Sequence, residues 1–142
     1  DPLTRVGEYL GTPRFVAPER VRGGADDGRS DVYSLGALIY ELVCAASPWT
    51  REQEAQLAVG ATVEAPPREM GRFRRGVPAE FERIVARALS LDAARRPTAE
   101  ELAGELAALA PALDDAPSHH LADPEPRDVD ATSLLPAVPW PR

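Results

Sequence analysis

The alternation of apolar and polar positions divides the chain into a helical body between two irregular flanks. From Ser30 to Ala46, SDVYSLGALIYELVCAA, the apolar positions are Val32, Leu35, Leu38, Ile39, Leu42 and Val43, and Tyr33, Ala37, Tyr40 and Cys44 fill the other faces. A helix apolar nearly all round belongs inside a protein rather than on its surface. Ser30 or Asp31 can cap its first turn, and Ser47-Pro48 ends it. A shorter helix is expected from Arg51 to Val59, followed by a loop from Ala65 to Gly76 with Arg68, Arg72, Arg74 and Arg75 in solvent. Pro78 suits the first turn of a third helix, whose inner face is Phe81, Ile84, Val85, Ala88 and Leu89. Thr98 and Glu101 stand in capping-box register at the head of a fourth, lined by Leu102, Leu106 and Leu109.

The flanks read differently. Residues 1–29 are rich in Gly, Pro and Arg without a sustained period, which predicts loop with one short helical turn after Pro18. Residues 111–142 hold seven of the 15 prolines and six acids against two arginines. That composition predicts a disordered tail. The expected organisation is a mainly α domain over 1–110 and an acidic, Pro-rich tail over 111–142.

Composition narrows the functions available. The 142 residues suffice for one domain, and a net charge of −7 argues against general nucleic-acid binding. No apolar run approaches the roughly 20 residues of a membrane span. The single cysteine, Cys44, excludes an intrachain disulfide and reads as a small core residue, with cytoplasm the default compartment. His119 and His120 near Asp123 are adjacent histidines in a polar tail, so a solvated pair is expected rather than a metal site. All 16 basic residues are Arg, and neither Lys nor Asn occurs. Residue 1 is Asp and the one Met is Met70, so the sequence is expected to be a fragment, a processed product or a reading frame that has lost its beginning.

Three stretches carry a family resemblance: GTPRFVAPE at Gly11–Glu19, DVYSLGALIYEL from Asp31, and LDAARRPTAEEL from Leu91. In order and spacing they resemble the activation-segment end, the start of the buried central helix and the closing motif of the C-terminal lobe of a serine/threonine protein kinase. The resemblance spans about residues 3–110; Ala93 stands where the family usually has Pro. It implies a kinase-like C-lobe around a buried central helix. It implies that Thr12 bonds the catalytic loop and that Pro13, Arg14 and Phe15 wall the site receiving the substrate residue after the phosphoacceptor. Glu19 is implied to pair with buried Arg96, and Asp31 to hold backbone amides of the catalytic loop. Thr4, eight residues before Thr12, is a candidate activating phosphosite.

The same resemblance exposes a gap. Phosphoryl transfer needs a Gly-rich loop, a Lys on the phosphates, an Asp near the acceptor hydroxyl and Asp/Asn on magnesium. Without Lys or Asn this sequence cannot supply two of these; G-x-G-x-x-G and His-Arg-Asp are absent, and Asp1-Pro2-Leu3 matches D-F-G poorly. No catalytic, cofactor or metal residue is therefore expected in the chain itself, ATP and magnesium belonging to an intact parent. The expected partner is a protein or the missing N-terminal part of a kinase. Two functions stay open: part of an ATP-dependent protein kinase, itself inactive alone, or a non-catalytic binding module derived from a kinase lobe.

Overall fold

The computed structural model describes residues 13–24 and 27–114. Thr4, Thr12, His119, His120, Asp123 and most of the expected tail lie outside them. Five helices follow in order: α1 (Pro18–Val21), α2 (Arg29–Cys44), α3 (Arg51–Ala58), α4 (Ala79–Ala88) and α5 (Ala99–Asp114). Short 3-10 turns occupy Pro13–Phe15, Met70–Arg72 and Ala93–Arg95. No strand occurs among the described residues, and the fold is mainly α.

Helix α2 is the axis, packed against α4, α5 and the turns at Pro13–Phe15 and Met70–Arg72. Its entry differs from the expected cap. Ser30 and Asp31 lie inside the first turn; the chain turns in through Gly28 at φ 82°, and the Arg29 N–H donates to Asp27 Oδ1 at 3.1 Å. A left-handed residue at that corner favours glycine. The helix ends at Ala45 rather than at Ser47-Pro48. Ala45 adopts φ 50° and donates its N–H to the Glu41 carbonyl at 2.8 Å, a position glycine usually takes.

Burial of α2 is one-sided. Val32, Tyr33, Gly36, Ala37, Tyr40 and Cys44 follow the helical repeat into the interior. Leu35, Leu38 and Leu42, on another side, are 44%, 45% and 74% exposed. The expectation of a helix covered all round is corrected accordingly. An apolar pattern records compatibility with burial, but the cover must come from another segment, and the described residues supply it on one side only.

Gly36 sets the approach of α2 to α4. A Cβ there would lie 2.9 Å from the Ala88 Cβ, so only glycine lets the two helices sit this close. The main core gathers Tyr33, Tyr40, Trp49, Met70, Val85 and Leu89; a second cluster joins Val32, Ile84, Ala88 and Leu102, with Leu106 and Leu109 at its edge. Trp49 Nε1 donates to Tyr33 Oη at 2.9 Å. Burial pushes the Tyr33 phenol up to about 12, against the pull of that bond and of the Arg96 charge. Burial likewise pushes the Cys44 thiol up to about 11, as suits an inert core cysteine.

Local signals position the remaining helices. Thr50 and Gln53 form a reciprocal capping box at α3. Thr98 and Glu101 form another at α5, with bonds of 3.1 and 2.7 Å between each side chain and the other's N–H. Helix α5 continues through Pro111 to Asp114, past the boundary expected at 110. Proline in a last turn forfeits one N–H bond without preventing the turn.

The loop before α4 also departs from expectation. Arg72 and Arg75 are exposed, but Arg68 and Arg74 reach back to the end of α2. Arg68 Nη2 donates to the Ser47 carbonyl at 2.6 Å with its guanidinium 4.5 Å from the Phe73 ring centre, and Arg74 Nη1 donates to the Val43 carbonyl at 3.4 Å. Carbonyls at a helix C-terminus are unpaired acceptors that favour cations.

Candidate functional site

The most constrained polar contact joins the short helix near the start of the described chain to the segment just before α5. Glu19 stands in the first turn of α1, where Pro18 fixes the entry. Arg96 follows the 3-10 turn at Ala93–Arg95, which Asp92 caps by accepting from the Ala94 N–H at 3.0 Å. The Arg96 side chain is 0% exposed and that of Glu19 21%. Arg96 Nη1 donates to Glu19 Oε1 at 2.6 Å and Nη2 to Oε2 at 2.8 Å. The planar guanidinium fork matches a carboxylate in this two-point way.

Other donors and acceptors complete the arrangement. Arg96 Nε donates to the Ser90 carbonyl at 2.7 Å and Nη1 also to the Arg29 carbonyl at 3.0 Å. The Arg29 side chain returns a bond to the Arg96 carbonyl. Ser30 Oγ donates to Glu19 Oε1 at 2.8 Å, and the Arg96 guanidinium lies 5.0 Å from the Tyr33 ring centre. Burial alone would raise the Glu19 carboxyl. The hydrogen bonds from Arg96, its own backbone and Ser30, with the Arg96 charge, outweigh burial and hold it at about 2.

The turn at Pro13–Phe15 lies against α2 and α3. Phe15 is half-buried on the main core, and its carbonyl accepts from Ser34 Oγ at 2.7 Å. Arg14 projects from the same turn to Glu41, Nη1 to Oε1 at 3.3 Å, its guanidinium 5.8 Å from the Phe15 ring centre. Asp31 is exposed in the first turn of α2, apart from the Glu19–Arg96 group, where a carboxylate favours the helix dipole. Ser30, Ser34 and Glu41 are the participants that sequence reasoning missed. Their spacing along α2 was available, but nothing local tells a polar side chain which loop it will meet.

No cluster of metal-ligating side chains occurs among the described residues, and no helix there is long and apolar enough to cross a membrane.

Residues 3–105 match the protein kinase domain family. The chain belongs to that family. It is 37% identical over 109 residues to the serine/threonine-protein kinase pkn3 of Myxococcus xanthus, covering 75% of this chain and 20% of the relative. It is 35% identical over 108 residues to the DNA damage-responsive serine/threonine-protein kinase RqkA of Deinococcus radiodurans, covering 76% and 16%. It is 38% identical over 94 residues to the serine/threonine-protein kinase PknL of Mycobacterium tuberculosis, covering 66% and 23%. The kinase-related chain thus spans about a fifth of the length of these curated relatives. In this chain Glu19–Arg96 ties the turn after Pro18 to the segment that leads into α5, and α2 packs against both the Pro13–Phe15 turn and α5.

Proposed function

We propose that this chain is the protein-substrate-facing and structural part of a serine/threonine kinase catalytic domain. In an intact kinase, the nucleotide-binding and catalytic segments bring ATP and magnesium, and the Pro13–Phe15 turn meets the protein that is phosphorylated. The observation that carries this reading is the buried Glu19–Arg96 pair. It fixes the α1 end of the loop while Ser34 and the core fix Phe15, so the turn is presented on a rigid base. Pre-positioning of this kind is what phosphoryl transfer demands of the protein around it. Taken alone, the 142 residues do not bind MgATP or transfer phosphate, because they offer neither Lys nor Asn to hold phosphate and metal. A cytoplasmic setting, where ATP is abundant, accords with this role.

The test uses two proteins. Calorimetry on the 142-residue chain is expected to show no magnesium-dependent ATP binding. A chimera in which residues 3–105 replace the matching segment of the Myxococcus xanthus relative is expected to phosphorylate a protein substrate. Micromolar MgATP affinity in the chain alone, or a folded chimera without activity, would overturn the reading.

A second reading is a non-catalytic binding module. It draws on the Leu35, Leu38 and Leu42 face of α2, which is large and apolar for an exposed surface. A folded but inactive chimera would favour it.

A further inference from the structure

An open groove of about 780 Å³ lies between the segment that follows α3 and the C-terminal half of α4. Val63, Pro66 and Pro67 line it from the loop, and the buried Trp49 and Leu89 lie at its floor. None of its lining residues belongs to the Pro13–Phe15 turn. The loop side is open along the main chain: among the described residues, no hydrogen bond reaches the backbone of residues 62–67, which belong to no helix. Arg83, Arg87 and Arg95 line the other side. Arg83 is committed to Glu80 through two bonds. Arg87 gives only Nη1 to Glu105 Oε1, at 2.6 Å, and Arg95 is exposed with no ion pair among the described residues. Arg87 and Arg95 therefore keep donors for a further carboxylate. Of the two acids on the groove, Asp92 is held by the Ala94 N–H and Glu64 is exposed on the loop.

We propose that residues 121–130 of this same chain, LADPEPRDVD, dock in the groove as an intramolecular ligand. The length of chain allows it. The Arg87–Glu105 bond sets α5 beside the groove, and α5 ends at Asp114. From Glu105 to Asp114 the helix travels about 14 Å, and residues 115–123 can return up to about 30 Å when extended. The charges are complementary where donors remain. Asp123 and Glu125, and again Asp128 and Asp130, stand two apart, so in an extended chain each pair points to one side about 7 Å apart, a fit for two separate guanidiniums. Arg127 between the pairs offers Glu64 a partner. Pro124 and Pro126 are also two apart. Their missing N–H groups fall on one side of an extended chain, and the N–H groups of Asp123, Glu125 and Arg127 remain on the other to meet the open loop backbone. Proline also limits the freedom lost on docking.

Amide hydrogen exchange read by mass spectrometry on the full 142-residue chain tests this. Residues 62–65 have unbonded N–H groups and should exchange at unprotected rates if the groove is empty. With the groove occupied, residues 62–65 and 121–130 should both exchange at least about threefold more slowly than a free peptide, a modest factor in keeping with partly exposed ion pairs. Arg95→Glu should release both segments together. So should the fourfold variant Asp123→Asn, Glu125→Gln, Asp128→Asn, Asp130→Asn, whose changes lie wholly outside the helical body. Urea unfolding of both variants should match wild type, so that lost protection is not lost fold; if Arg95→Glu unfolds the chain, the fourfold variant decides alone. Unprotected rates at 121–130 in the wild type would overturn the proposal, as would protection at 62–65 that the fourfold variant leaves unchanged. Protection that disappears on dilution would also overturn it, since the occupant would then be a second copy of the chain.

Discussion

Replacing Arg96 by Ala would leave the Glu19 carboxylate four-fifths buried without its cation, and the Ser90 and Arg29 carbonyls without a donor. Replacing Glu19 strands the opposite charge on a fully buried guanidinium. Removing one partner of a buried pair costs about 3–5 kcal/mol. The Glu19 carboxyl gives a second measure. Its fall from 4.5 to about 2 corresponds to roughly 3 kcal/mol of preference for the charged form in the folded chain. A small domain has about 5–15 kcal/mol in all, so either change removes a large share. The double variant should cost less than the sum of the two, by up to about 3 kcal/mol, since it strands no charge. It should not return to wild type, because Arg96 also serves two carbonyls. Arg95→Ala, next door and exposed, is the control and should cost under about 0.5 kcal/mol. Urea unfolding followed by far-UV circular dichroism measures all four. Strictly additive single effects, or a larger loss from Arg95→Ala than from Arg96→Ala, would refute the argument.

Three further outcomes follow from particular contacts. Because folding lowers the Glu19 pKa from 4.5 to about 2, its stabilising contribution is complete above about pH 4.5 and is lost as pH falls through about 2; acid titration by circular dichroism should show a flatter decline for Glu19→Gln, and an unchanged profile would contradict the assignment. Gly36→Ala should destabilise the chain by about 1–3 kcal/mol, as overpacking does, and Ala88→Gly should restore part of the loss in thermal melts; a neutral Gly36→Ala would mean α2 and α4 adjust freely. Ala45→Gly relieves a left-handed residue and should raise stability by about 1 kcal/mol, whereas a loss would mean the Ala45 methyl group contributes packing.

The helices were legible because their signals are local. The Thr98–Glu101 box and the Ile84, Val85, Ala88, Leu89 stripe each lie within a few turns of one segment, and the structure has both. The short turn after Pro18 was legible for the same reason. The meeting of Glu19 with Arg96 was visible only through the family motifs, since nothing local joins residues 77 positions apart. Three things escaped. The exposure of Leu35, Leu38 and Leu42 depends on which segments are present to cover them. The corner at Gly28 and the stop at Ala45 are set by backbone dihedrals that composition does not encode. Arg68 and Arg74 looked like solvated charges because their acceptors, the Ser47 carbonyl just past α2 and the Val43 carbonyl in its last turn, carry no side-chain signature.

The span of 77 residues between Glu19 and Arg96 has a kinetic meaning. Closing a flexible loop of that length costs about 4 kcal/mol in chain entropy, so the two ends are poor candidates to meet first. Once α2, α4 and α5 have packed through their own contacts, most of that distance is already spanned and the pair closes cheaply. An interaction formed after the folding barrier slows unfolding and leaves the folding rate nearly alone. The pair is then a latch: breaking it should steepen the loss of the folded chain with time, seen in the unfolding arm of a stopped-flow denaturant series, while refolding proceeds at close to its former speed.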